Sequence, residues 1–136
     1  MFGGVPLHPL LVHAPIGLLL FGTFLILLSF KWSNFRLFAL VTLVTGFLSG
    51  VVAYISGEGA EEYAETNLLS VTEAMIESHE QFALFSLVAF GMTIILFIIG
   101  FRAKGKAWRI LSFITALIGC ILLAYTGHLG GQMVYL

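Results

Sequence analysis

Four stretches of this chain, at about 12–30, 37–55, 82–101 and 110–129, are each long and apolar enough to cross a bilayer, and none contains Asp, Glu, Lys or Arg. A helix needs about 20 apolar residues to traverse roughly 30 Å of hydrocarbon. Four such runs in 136 residues leave almost nothing for a soluble domain. With 10% charged residues and a mean hydropathy of +1.06, the chain cannot clothe itself in polar surface. No alternation of inward polar residues suggests a membrane barrel. The first run lacks the basic start and small-residue cleavage site of a signal peptide, so it reads as a retained helix. The expectation is a single all-α domain over 1–136: an integral membrane four-helix bundle, up-and-down, with helices at about 9–30, 36–56, 71–101 and 108–129.

The charges sort the two ends. All six basic residues lie in the connections between helices 1 and 2 (Lys31, Arg36) and between helices 3 and 4 (Arg102, Lys104, Lys106, Arg109). All seven acids are Glu, from Glu58 to Glu80, between helices 2 and 3. The positive-inside rule makes the basic end cytoplasmic. Both termini and the Glu-rich loop then face outward, as in a multi-pass protein of a bacterial inner membrane. The acidic loop predicts a short helix over 60–66 and a capping box at "SVTE", Ser70 to Glu73, with "SHEQ" at 78–81 as a second candidate. Its charge suits a solvated face, or a landing patch for a cationic partner.

The four histidines, His8, His13, His79 and His128, all fall near the outer end. Helix rise of about 1.5 Å per residue puts His13 roughly 27 Å from Lys31, His128 roughly 28 Å from Arg109, and His79 roughly 34 Å from Arg102. These depths allow a shared site. Ionisable residues in membrane segments tend to face the bundle interior and mark function. His8 and His13 are five residues apart, about 140° around a helix, so one face cannot chelate with both. Pro9 suits a first helical turn, with His8 as a cap or loop residue, and Pro15 predicts a bend just after His13.

Histidines so placed suit three chemistries. Zinc or copper takes imidazole nitrogen. A haem takes one or two axial imidazoles from facing helices. The plain alternative is a structural subunit whose histidines are polar tips at the interface. Gly46 and Gly50 form a G-x-x-x-G that suits either close packing or room for a cofactor, and Gly127, Gly130 and Gly131 either end a helix near 129 or let the backbone approach a ligand closely. Cys120 reads as a small apolar packing residue. No nucleophile–base pair, phosphate loop or intramembrane carboxylate pair is present, so no enzyme is expected. No basic patch with interleaved aromatics suggests nucleic acid.

"HPLLVHAPIGLLL", "SHEQFALF" and "TGHLGGQMVY" resemble the bacterial membrane-protein family catalogued as domain of unknown function 2231, over nearly the whole chain. His8, His13 and His79 match the family's motif positions, whereas His128 stands where an aromatic is common. Related domains joined to Rieske or c-type haem domains imply respiratory electron transfer and b-type haem, one or two per chain. The expected function is therefore a small electron-transfer protein, with Cu or Zn binding or a purely structural role as alternatives. His13 and His79 are the expected axial pair, and His8 and His128 a second pair or supporting residues. The expected surroundings are the lipid bilayer and a cationic, c-type or Rieske redox protein on the outer face.

Overall fold

The computed structural model describes residues 6–135. They form α1 (His8–Leu11), α2 (His13–Ser29), α3 (Phe35–Ile55), α4 (Gly57–Asn67), α5 (Glu73–Ala103) and α6 (Lys106–Tyr135), with no strand among the described residues. α1 and α2 are one span broken at Val12. Proline has no N–H, so Pro15 cannot bond the Leu11 carbonyl, and the helix gives way there. With α3, α5 and α6 this makes four helices long and apolar enough to cross a membrane.

Two local expectations change. α5 is capped by Thr72, whose side chain accepts from the Met75 N–H at 3.4 Å, and not by Ser70. An N-cap needs extended backbone, and Thr72 supplies it at ψ 151°. α6 does not stop near residue 129; it runs through Gly127, Gly130 and Gly131 to Tyr135. Each glycine costs a helix about 1 kcal/mol. In an apolar setting, however, a broken helix leaves its backbone groups without partners, which costs more. The short acidic helix expected at 60–66 is present within α4.

The spans pack as two hairpins, α2 with α3 and α5 with α6, joined side by side along a seam where α3 meets α5 and α2 meets α6. Glycines set the closeness within each hairpin. A β-carbon at Gly46 would lie 3.0 Å from Leu18 and Leu19, and one at Gly119 would lie 2.9 Å from the Phe90 ring. The G-x-x-x-G is thus used for packing: Gly50, its second member, receives Leu87 from across the seam. The core (Leu19, Ile26, Leu43, Phe90, Phe97, Ala116) lies between the helices, while Phe21, Leu48, Val52, Val88 and Ile121 point outward, as lipid-facing residues do.

The two hairpins are copies of one pattern. A shift of 71 residues carries α1–α2 onto α5, and a shift of 73 carries α3 onto α6. Buried positions then coincide: Leu19 with Phe90, Ile26 with Phe97, Ala39 with Ser112, Leu43 with Ala116, and Ala53 with Thr126. Contacts coincide too. Arg36 donates to the Gly100 carbonyl at 3.1 Å and lies over the Phe101 ring; Arg109 donates to the Ser29 carbonyl at 3.2 Å and lies over the Phe30 ring. Each bond crosses the seam, and exchanging the halves turns one into the other. Such reciprocity is the signature of two-fold symmetry, here between parallel repeats of like orientation.

Candidate histidine site

The same repeat carries His8 onto His79. These two are the histidines the fold brings together. Their ring centroids are 6.1 Å apart and their planes stand at 82°. The site therefore lies where the two hairpins meet, at the end opposite the arginines.

Each ring is held by its own hairpin in the same way. His8 Nδ1 is 2.8 Å from the Ala53 carbonyl oxygen and 3.0 Å from Ser56 Oγ; His79 Nδ1 is 3.0 Å from the Thr126 carbonyl oxygen. A carbonyl can only accept, so Nδ1 carries the proton in both rings. In the neutral imidazole Nε2 is then left with its lone pair. An N–H tethered to a backbone carbonyl is also the arrangement that orients and strengthens metal-ligating histidines. Glycine leaves room beside each ring: a β-carbon at Gly130 would sit 3.2 Å from His79 Cε1, and one at Gly57 would sit 3.9 Å from His8 Cε1.

Placement departs from the expected pairing. The fold sets His8, and not His13, against His79. His13 is exposed at the start of α2. The reason is rotation: with about 140° between them, turning His8 inward turns His13 out. His128 is exposed as well, 6.2 Å from Tyr125 by ring centroid. It precedes Gly130, the residue against His79, by two positions, which puts it about 200° away on α6.

The donor set here is a pair of imidazoles. Among the described residues no group of three or more His, Cys, Asp or Glu could hold a metal ion. Structural zinc takes four protein ligands; a haem takes two axial imidazoles. Two metal–nitrogen bonds of about 2.0 Å, together with two ring radii, give a centroid separation of roughly 6 Å. The observed centroid spacing of 6.1 Å is of that size.

Sequence reasoning passed over Ala53, Ser56 and Thr126, which position the rings, and Gly57, which flanks one. Backbone carbonyls leave no residue-type signal. The repeat did leave one: His8/His79, Arg36/Arg109, Gly46/Gly119 and Gly57/Gly130 recur in the same order.

Above the site, α4 gathers the acids. Glu61, on this helix beyond the membrane-crossing segments, has its pKa raised by partial desolvation and then by Glu80, Glu65, Glu58 and Glu73. The carboxylates crowd one another, so this end carries a strong negative field.

No curated protein and no solved structure matches the chain. One family model does, over residues 4–136, described as "Predicted membrane protein (DUF2231)". Four apolar helices, a paired-histidine end and a match across nearly the full sequence lead to one conclusion: the chain belongs to the DUF2231 family of predicted membrane proteins.

Proposed function

We propose that this protein is a small electron-transfer protein of a bacterial inner membrane, holding one b-type haem between its two hairpins with His8 and His79 as axial ligands. The observation that carries the reading is the matched pair of imidazoles, each holding its Nδ1 proton against a backbone carbonyl, with no hydrogen bond to either Nε2 among the described residues. A flat macrocycle lying in the seam would meet one ring on each face. With both axial positions filled by protein, the iron has no open site, so the haem would supply electron transfer without binding oxygen or substrate. His13 and His128, exposed on the outside, serve as interfacial residues in this reading. The positive-inside rule puts the arginine end in the cytoplasm and the site outward. There the Glu-rich α4 would attract a cationic redox partner, faster at low salt.

The visible spectrum of protein purified from haem-replete cells tests this. Reduced-minus-oxidised bands of a six-coordinate b-type haem are expected. His8→Ala and His79→Ala should each abolish the six-coordinate spectrum, while His13→Ala and His128→Ala keep it. A colourless preparation overturns the proposal. Stoichiometric copper or zinc without iron would do the same and give the pair to a bare metal.

A further inference from the structure

The end of the bundle opposite the histidines gathers positive charge that no acidic side chain there balances. All six basic residues lie in or beside its two connections, and all seven carboxylates lie between residues 58 and 80, at the other end. α3 and α6 also begin here, with no acidic residue in either first turn. A helix N-terminus is itself partly positive, so Arg36 and Arg109, in these first turns, stand against the dipole.

These two arginines are drawn into the seam between the hairpins. They meet at Gly100: Arg36 donates to its carbonyl at 3.1 Å, and a β-carbon on it would stand 3.5 Å from Arg109 Cγ. Each guanidinium is half-buried, and among the described residues each makes one hydrogen bond, to a neutral carbonyl. Arg36 Nε is enclosed without an acceptor. A guanidinium has five N–H donors, so both keep donors to spare on their outer edges. Two like charges thus lie half-buried together without a counter-ion, which is costly until one arrives. The positive-inside rule asks only for cations in the loops and not for two of them tucked between helices. The repeat singles out the same residues. Lys31 recurs as Arg102 and Arg36 as Arg109, in connections that otherwise differ.

The depth of the pair points to its partner. Trp32 is 48% exposed, with Lys31 Nζ 4.7 Å from its ring. Tryptophan so placed settles at the headgroup level, where lipid phosphates lie. Beside Arg36, Leu37 and Phe38 are exposed as a surface for acyl chains.

We propose that Arg36 and Arg109 bind the phosphate of an anionic phospholipid in the leaflet at this end, with Lys31 and Arg102 flanking it. The phosphate oxygens accept from the outer edges of the guanidinium forks. Phosphatidylcholine carries the same phosphate, but its trimethylammonium adds a cation to a place that already has six. A soluble phosphate has the charge without chains to hold it at this depth. Basic clusters at the membrane edge select anionic lipids on these grounds. The inference does not depend on the haem reading.

Native mass spectrometry of the purified chain in detergent, with phosphatidylglycerol, phosphatidylcholine or inorganic phosphate added, tests the proposal. A saturable phosphatidylglycerol adduct is expected, about tenfold tighter than that of phosphatidylcholine and not displaced by inorganic phosphate. Arg36→Gln and Arg109→Gln should each weaken it about tenfold. Lys104→Gln combined with Lys106→Gln removes more charge and should leave it unchanged. If the glutamine variants fail to fold, Arg36→Lys and Arg109→Lys keep the charge, lose the fork and should still weaken binding. Lysine variants that bind as tightly as the wild type overturn the proposal. So does equal retention of the two lipids, or an equal loss in the Lys104/Lys106 variant, which would leave only a diffuse field. Displacement by inorganic phosphate overturns the lipid assignment and gives the pair to a soluble anion.

Discussion

His79 and Gly130 are in contact across the α5–α6 hairpin, close enough that a β-carbon on Gly130 would stand 3.2 Å from the His79 ring, tighter than ordinary packing. The equivalent approach of Gly57 to His8 is looser, at 3.9 Å. The two glycines occupy the same place in the repeat, yet they should answer differently to the same substitution. Gly130→Ala makes the His79 ring give by a few tenths of an ångström against its bond to the Thr126 carbonyl, an overpacking cost of about 1–3 kcal/mol. Gly57→Ala should stay within about 0.5 kcal/mol of the wild type or stabilise slightly, because it replaces the glycine that opens α4 with a better helix former and meets only ordinary contact. Thermal unfolding of both variants in the same detergent checks the contrast, and equal losses would contradict it.

The arginine bonds across the seam should be worth more than their surface position suggests. Each guanidinium is half-buried, bonds a carbonyl near the end of the opposing span and covers a phenylalanine ring. Charge-assisted bonds of this kind contribute about 1.5–3 kcal/mol. Arg36→Gln and Arg109→Gln should each destabilise by about that amount, and the double variant by less than the total, since losing one bond loosens the seam that the other spans. Arg102→Gln, on an exposed side chain, should change stability by less than about 0.5 kcal/mol. Strict additivity of the two losses would argue against a shared seam.

Within the second hairpin, Thr93 on α5 and Thr115 on α6 join hydroxyls at 2.8 Å. Each hydroxyl also lies within reach of a carbonyl of its own helix, Ala89 for Thr93 and Ser112 for Thr115, so one hydroxyl donates to its carbonyl while the other donates across the hairpin. Interhelical side-chain bonds in membrane proteins average about 0.6 kcal/mol. A double-mutant cycle with valine at both positions should therefore give a coupling energy near about 0.6 kcal/mol. A coupling above about 2 kcal/mol would mean that the pair holds the hairpin together, which the glycine contacts make unnecessary.

Mild acid should tighten α4. The pKa of Glu61 is raised in the folded chain, so the folded state binds this proton more strongly than the unfolded state does. Its ionisation therefore costs stability above the raised value, and that cost disappears as pH falls through it toward the ordinary 4.5. Amide exchange in α4, corrected for intrinsic rate, should slow as pH falls from neutrality toward 4.5, and Glu61→Gln should remove the change. Faster corrected exchange at the acid end would reverse the assignment.

The spans and their grouping of charge were legible because they depend on composition over long windows. Four runs without Asp, Glu, Lys or Arg, and the separation of Lys31, Arg36, Arg102, Lys104, Lys106 and Arg109 from the Glu residues, survive any local rearrangement. The histidine pairing depends instead on helix rotation. His8 and His13 differ by about 140°, and nothing in a uniformly apolar helix says which of them turns inward. Periodicity is silent when both faces are greasy, because a lipid-facing leucine looks like a core leucine. The repeat was hidden for the same reason: between His8/His79 and Gly57/Gly130 most equivalent positions exchange one apolar residue for another, as Leu19 does for Phe90 and Ile26 for Phe97. The glycines of α6 misled in a different way, since their punctuating role assumes water at the helix end.

Among the described residues, side-chain hydrogen bonds between the hairpins occur at the arginine end and once midway, where Cys120 Sγ donates to Thr23 Oγ1 at 3.4 Å. At the histidine end the halves meet through the His8 and His79 rings, each hydrogen-bonded within its own half. The molecule is built like a clothes-peg, sprung at one end and with its jaws at the other. Among the described residues, parting the jaws breaks no side-chain hydrogen bond, because each ring and the carbonyl that holds it belong to the same arm.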